Sequence, residues 1–138
     1  MRIYTAVAAG DVPAVLNVLA DHLDWTEAAG FPYYSGTWHC PMDVVEKLLV
    51  PIGRDWDDFA ASPHEFIDLG DRVLTLGTYS GVCKATGKAM AAPFAHIWRV
   101  AGDRITVKNL CECRSRCPAI STANQPNLRM RVALRTSL

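Results

Sequence analysis

The chain has 138 residues, half of them hydrophobic, with 14 basic and 14 acidic side chains. This length suits one domain with a buried core. No apolar run approaches the roughly 18–20 residues that span a bilayer, and the N-terminus lacks the apolar stretch of a signal peptide, so we expect a cytoplasmic protein. Residues 1–110 hold 9 Lys+Arg against 13 Asp+Glu, and such an acidic body argues against a nucleic-acid groove.

Helices dominate the predicted elements of the first part of the chain. Residues 3–9 predict a helix that stops at Gly10, and Asp11 is placed to cap a second helix. Residues 23–27 alternate and predict a short strand, followed by a loop rich in aromatic rings. A third helix is predicted from Pro41, with Gly53 as its end.

Strands dominate from residue 56 onward. Four strands are predicted with turns between them, over residues 56–69, 72–83, 90–100 and from Arg104. Pro63 indicates a bulge or an edge position in the first of them. Helices followed by hairpin-linked strands predict an α+β fold with an antiparallel sheet.

Four segments carry a family resemblance. They are Tyr-Thr-Ala-Val-Ala-Ala-Gly-Asp (residues 4–11), Trp-Thr-Glu-Ala-Ala-Gly-Phe-Pro-Tyr (25–33), Glu-Phe-Ile-Asp-Leu-Gly-Asp-Arg-Val (65–73) and Ala-Pro-Phe-Ala-His-Ile-Trp-Arg-Val (92–100). Their order and spacing resemble the ketosteroid isomerase-related branch of the nuclear transport factor 2-like superfamily, also called SnoaL-like. The resemblance implies an α+β barrel, in which a cone-shaped curved antiparallel sheet wraps around helices and encloses a pocket.

The resemblance also implies two catalytic candidates. Glu27 matches the position of the general-base aspartate of the isomerases, where an apolar surrounding disfavours the charged form of a carboxyl group. His96 matches the position of a side chain that donates a hydrogen bond to the substrate oxyanion. The alternatives are a Glu27 that binds loop backbone or faces water, and a His96 that is satisfied by a backbone carbonyl in the core.

One feature departs from the isomerase pattern. The isomerases carry an oxyanion-binding tyrosine on the first helix, and the matching position here is Ile3. Tyr4 is adjacent but lies about 100° away around a helix. We therefore expect a Glu–His pair closer to that of superfamily dehydratases and cyclases than a steroid isomerase.

Several aromatic side chains are expected to line the pocket. Most aromatic residues belong to the core of a domain, but flat rings beside an acid and an imidazole suit a planar or cyclic apolar ligand. We predict ligand contacts from Trp25, Phe31, Trp38 and Trp98.

No metal and no cofactor are expected. The run formed by Cys111, Cys113 and Cys117 lacks the paired spacing of a structural zinc site, and no phosphate loop or dinucleotide fingerprint is present. The expected partners are a small apolar or cyclic ligand and a second copy of the chain, with no nucleic acid and no membrane. Three functions remain open: a lyase or isomerase that transfers protons with Glu27 and His96, a non-catalytic ligand-binding protein, and a dimerising structural module.

The C-terminal part does not follow the family pattern. We expect the pocket domain over residues 1–115 and an atypical basic tail over residues 116–138. From Cys111 onward, 5 arginines oppose Glu112 alone. We hypothesise that this tail is the product of a shifted reading frame, which the nucleotide sequence decides.

Overall fold

The computed structural model describes residues 1–33 and 36–111, without the side chains of Leu110 and Cys111. Helices precede the long strands, as predicted. The helical segments are α1 (Arg2–Ala8), α2 (Val12–Val18), α3 (Pro41–Val44), a π-helical stretch (Val45–Leu49) and α4 (Val50–Asp55). The strands are β1 (Leu19–Thr26), β2 (Thr37–Trp38), β3 (Trp56–Asp68), β4 (Val73–Cys83), β5 (Ala89–Ala101) and β6 (Arg104–Cys111). The expected tail over residues 116–138 lies outside the described residues.

The boundary between α1 and α2 follows the sequence prediction. Gly10 has a positive φ of 63°, which glycine adopts without the steric cost that a side chain brings. The carboxylate of Asp11 then accepts a hydrogen bond of 3.0 Å from the backbone N–H of Ala14. This cap satisfies one of the free donors in the first turn of α2.

The third helical segment differs from its prediction in length and in form. It continues past Gly53 to Asp55, and its middle widens into the π-helical stretch. Pro51 explains the widening, because a proline in a regular helix lacks an N–H and clashes with the carbonyl four residues earlier. The wider turn relieves that clash without ending the helix.

The sheet is curved and open, with the strand order β2-β1-β6-β5-β4-β3. All neighbours pair antiparallel except β1 and β6, which run parallel. The parallel pair arises because the helical segments and three long strands separate β1 from β6 in the chain. β3 lies at an edge and its register shifts beside Pro63, so both of the features that this proline predicts are present.

The core lies between the helices and one face of the sheet. α1 contributes Ile3, Tyr4 and Ala6 to it, and β5 contributes Phe94 and Trp98. No helix within residues 1–33 and 36–111 is long and apolar enough to cross a membrane.

Candidate functional site

A cavity that is open to solvent at its mouth lies between the helices and the sheet. Most of its walls are aliphatic or aromatic. The polar side chains that reach it are those of Tyr4, Glu27, Tyr79, His96 and Lys108. The remaining lining residues are Ile3, Val7, Trp25, Phe31, Leu48, Leu49, Ile52, Phe59, Ala61 and Trp98.

Glu27 immediately follows β1, whereas the sequence predicts it as the last residue of the strand. It is buried, with 4% of its surface exposed. Its Oε1 accepts a hydrogen bond of 2.7 Å from Trp25 Nε1 and a second one from Lys108 Nζ. Its Oε2 is buried and has no hydrogen-bond partner among the described residues. Glu27 therefore brings an unused acceptor into a largely apolar cavity.

Lys108 is the ionic partner of Glu27 and is almost completely buried on β6. It lies opposite Trp25 on β1 and Trp98 on β5, and its ammonium group is 5.1 Å from the centre of the Trp25 ring. Burial lowers the pKa of the Lys108 ammonium, because a charge loses solvation in the interior, whereas the carboxylate of Glu27 opposes this effect.

His96 lies on β5 between two tyrosines. Its Nδ1 is 2.7 Å from the hydroxyl of Tyr4, and its Nε2 is 2.5 Å from the hydroxyl of Tyr79. Burial, with a smaller contribution from the charge of Lys108, holds the pKa of His96 well below its usual value. The imidazole is therefore neutral near pH 7, with one donor and one acceptor nitrogen.

Trp98 supplies a hydrogen bond of fixed direction to this group. An indole nitrogen only donates, so Trp98 Nε1 donates to the hydroxyl of Tyr4 at 3.2 Å. We assign the tautomer in which Tyr4 donates to His96 Nδ1 and His96 Nε2–H donates to the hydroxyl of Tyr79. In this tautomer the proton of the Tyr79 hydroxyl is available to a ligand in the cavity.

Both phenols keep their protons at neutral pH. Burial raises the pKa of Tyr4 to about 12. It also raises the pKa of Tyr79 well above the ordinary value, helped by the negative charge of Glu27. The two hydroxyls therefore act as hydrogen-bond donors and not as phenolates.

Three of the four predicted ligand contacts line the cavity, namely those of Trp25, Phe31 and Trp98. Trp38 does not belong to the lining residues, although it is buried on β2 opposite Trp25. Because β2 lies at the outer edge of the sheet beside β1, Trp38 packs next to Trp25 in the core. Phe59 on β3 lines the cavity but is not among the predicted contacts.

Three polar residues of the cavity are absent from the predicted site. Tyr4 occupies it together with Ile3, although its helical position suggested a different direction. The four segments that carry the family resemblance do not include Tyr79 on β4 or Lys108 on β6. For Tyr79, the alternation with Thr75 and Gly77 on the inward face of β4 is the signal that indicates the cavity.

Comparisons with known proteins agree with this architecture. The SnoaL-like domain family matches residues 1–108. No curated protein sequence matches the chain. The crystal structure of an NTF2-like protein from Burkholderia thailandensis is 32% identical, with a TM-score of 0.74, over 80% of this chain and 84% of that chain.

Two more distant structures share the fold. A protein from Catenulispora acidiphila with a ketosteroid isomerase-like fold, in complex with trimethylamine, is 17% identical, with a TM-score of 0.71, over 83% of this chain and 84% of that one. TerC, co-crystallized with polyporic acid, is 24% identical, with a TM-score of 0.69, over 80% and 85% of the two chains. The family match over residues 1–108, with the helices, the curved sheet and the cavity, means that this chain belongs to the SnoaL-like domain family, whose fold is NTF2-like.

Proposed function

We propose that the protein is an isomerase, dehydratase or cyclase that transfers protons on a small cyclic carbonyl compound bound in the cavity. The single observation that carries this proposal is the buried, unpartnered Oε2 of Glu27 in the same cavity as the hydroxyl of Tyr79. Enolisation of a carbonyl compound requires an acceptor for the α-proton and a hydrogen-bond donor to the carbonyl oxygen, and this apolar site offers both. Two proteins of this fold have been crystallised with a small molecule, the Catenulispora acidiphila protein with trimethylamine and TerC with polyporic acid.

In this reaction Glu27 is the general base. Its Oε2 removes a proton from the carbon next to the carbonyl group, and the electron pair of that C–H bond moves toward the carbonyl oxygen. Tyr79 donates a hydrogen bond to that oxygen as negative charge develops on it. The apolar walls exclude water, which strengthens both interactions.

His96 has an indirect role in this proposal. The sequence resemblance implies that His96 itself donates to the substrate, but both of its ring nitrogens already contact tyrosine hydroxyls. His96 is therefore proposed as a positioning residue that holds the oxygen of Tyr79 and directs its proton into the cavity. Glu27 remains the catalytic candidate that the sequence predicts.

Proton exchange tests the proposal before a natural substrate is known. A cyclic aromatic ketone such as 2-tetralone is incubated with the protein in D₂O, and loss of the α-proton signal is followed by NMR. We expect the protein to accelerate exchange, and Glu27→Gln and Tyr79→Phe each to lower the rate by about 10²-fold. Glu65→Gln, an identical change on the exposed side of β3, is the matched control and should keep the full rate.

Circular dichroism of every variant separates loss of catalysis from loss of folding. Tyr79→Phe deletes one oxygen and should fold normally even if Glu27→Gln does not, because the neutral amide of Glu27→Gln would leave the charge of Lys108 unpaired. The proposal fails if the parent does not accelerate exchange of any ring-sized ketone, or if folded Tyr79→Phe matches the parent.

A second candidate function is ligand binding without catalysis. The observation that favours it is the ion pair of Glu27 with Lys108, since the carboxylate already has a cationic partner in the absence of any ligand. Trp25 and Trp98 line the cavity, so quenching of tryptophan fluorescence reports ligand entry. A ketone that binds by this measure but exchanges no proton would support the second function.

A further inference from the structure

Lys108 has hydrogen-bonding capacity that the proposed reaction does not use. An ammonium group carries three N–H donors, and Glu27 is the one hydrogen-bond partner of Lys108 among the described residues. Its side chain is nearly inaccessible from outside the protein, but it lines the cavity. A ligand in the cavity therefore meets an amine as well as a carboxylate.

The pair with Glu27 gives Lys108 a route to its neutral form. Burial of two charges is costly even when they attract each other. Transfer of one proton along the hydrogen bond, from Lys108 Nζ to Glu27 Oε1, yields a neutral amine and a neutral carboxylic acid. A neutral amine is the nucleophilic form of lysine.

We propose that Lys108 forms a reversible imine with an aldehyde or ketone that enters the cavity. The nitrogen of the neutral amine attacks the carbonyl carbon, and the amine proton moves to the carbonyl oxygen to give a carbinolamine. The C–O bond then breaks, and the hydroxyl group leaves as water with the proton that Glu27 held. The products are an iminium ion and the Glu27 carboxylate, so one ion pair replaces the original one and no oxidant or reductant is consumed.

This inference rests on the proposed function only in placing the ligand in the same cavity. It deepens that function, because an iminium ion withdraws electrons more strongly than a carbonyl group and makes the neighbouring C–H bond more acidic. The substrate class would then be aldehydes and ketones that reach Lys108. Imine formation does not require an α-proton, so it can be tested with a compound that cannot exchange one.

Reductive trapping with benzaldehyde provides that test. The full-length protein is incubated at neutral pH with benzaldehyde and sodium cyanoborohydride, which converts an imine into a stable benzylamine. Intact mass and peptide mapping then locate the added benzyl groups. We expect Lys108 to be labelled at least about tenfold faster than Lys47, Lys84 and Lys88, because burial lowers the pKa of its ammonium group and so increases the fraction of neutral, nucleophilic amine.

Two controls tie the labelling to the cavity. In urea sufficient to unfold the protein, Lys108 should lose its advantage over the other lysines. Ala61 lines the cavity, so Ala61→Leu fills part of the space beside it. This variant should slow labelling of Lys108 and leave the labelling rates of Lys84 and Lys88 unchanged. Benzyl groups on the exposed lysines at the rate of Lys108 or above it would overturn the proposal, whatever the outcome of the ketone exchange experiment.

Discussion

At the scale of single residues, the ion pair of Glu27 and Lys108 determines what the cavity can do. A carboxylate alone in this apolar space would lose much of its solvation, and an ammonium group alone would do the same. Together they form a buried ion pair in which one proton can move from the amine to the carboxylate. Both proposed chemistries depend on this ion pair: proton abstraction by Glu27 and imine formation by Lys108.

A double-mutant cycle measures how strongly the two residues depend on each other. Lys108→Met leaves Glu27 buried without its cation, so we expect it to lower the free energy of unfolding by about 3–5 kcal/mol. Adding Glu27→Gln removes the stranded charge and should recover most of that loss. Urea denaturation of the parent, both single variants and the double variant gives the coupling energy.

The matched control for this cycle is a lysine in a surface pair. Lys47 contacts Asp43 at 2.8 Å, but its side chain is 56% exposed. Lys47→Met should therefore leave stability almost unchanged, because an exposed ion pair contributes little. A Lys108→Met effect as small as this would mean that the buried ion pair contributes nothing to the fold.

The sequence predicts Glu27 and His96 but not Lys108, and the reason is geometric. Strict alternation from Ile105, which is buried, would turn Val107 inward and Lys108 toward solvent. Between Ile105 and Val107, however, β6 contains one more residue than the facing stretch of β5. A bulge of one residue moves the following side chains to the opposite face. Composition and periodicity carry no signal for that bulge.

At the scale of elements, the pairing of β4 with β5 fixes the positions of the hydrogen-bonded side chains of Tyr79 and His96. Gly77 lies directly opposite Phe94, and the ring of Phe94 covers it. Phe94 in turn stacks on His96, with ring centres 4.1 Å apart, and contacts the ring of Tyr79 at 4.6 Å. The absence of a side chain at residue 77 therefore determines where the imidazole and the phenol lie.

Gly77→Ala tests this role of the strand pair. The added Cβ would lie 2.2 Å from Phe94 Cζ and 2.6 Å from the carbonyl oxygen of Ser62. Because the second contact is with backbone, ring movement alone does not relieve it, and we expect a loss of about 1–3 kcal/mol. Thermal unfolding gives the stability change, and ketone exchange should slow as Phe94 displaces His96.

Gly53→Ala is expected to have the opposite effect on stability from Gly77→Ala. A Cβ at Gly53 has no atom within 4 Å, and the residue lies inside α4. Alanine has a higher helix propensity than glycine, so this variant should gain up to about 1 kcal/mol. If both glycine variants lost the same stability, the contact with Phe94 would not be the cause at residue 77.

At this scale the sequence is informative where the signal is local. The Asp11 cap and the register shift beside Pro63 follow from the chemistry of a few neighbouring residues. The end of the third helical segment does not, because the chain keeps its helical hydrogen bonding past Gly53, with the N–H of Trp56 donating to the carbonyl of Ile52. The sequence carries no local pattern for the two-residue strand β2, because this strand is defined by its pairing with β1.

At the scale of the whole molecule, the order of helices and strands predicts the fold class. The family match ends at residue 108, close to the point where the sequence pattern changes. The proposed reading-frame shift stays a prediction that the nucleotide sequence tests. The expected homodimer also stays a prediction; exposed apolar side chains at Phe66, Leu69 and Val100 are compatible with it.

Protonation of His96 couples the buried site to the stability of the molecule. In the folded protein the pKa of His96 lies well below its usual value, because burial and the charge of Lys108 disfavour the imidazolium ion. In the unfolded chain the imidazole titrates near pH 6.5. As pH falls through 6.5, the unfolded state therefore binds a proton that the folded state does not, and stability decreases.

Urea denaturation between pH 7.5 and 5 measures this effect. We expect the free energy of unfolding to be independent of His96 above about pH 7 and to fall below pH 6.5 with a slope approaching 1.4 kcal/mol per pH unit. His96→Gln removes the titrating group and should flatten this part of the curve, whereas His64→Gln, at an exposed position on β3, should not. Asp55 does not interfere, because its hydrogen bond with Arg54 lowers its pKa to about 2 from 3.8, so that its contribution is lost only below about pH 4. Equal slopes in the parent and in His96→Gln would mean that the imidazole accepts a proton in the folded protein, and the direction assigned to the hydrogen bonds from Trp98 to Tyr79 would then be wrong.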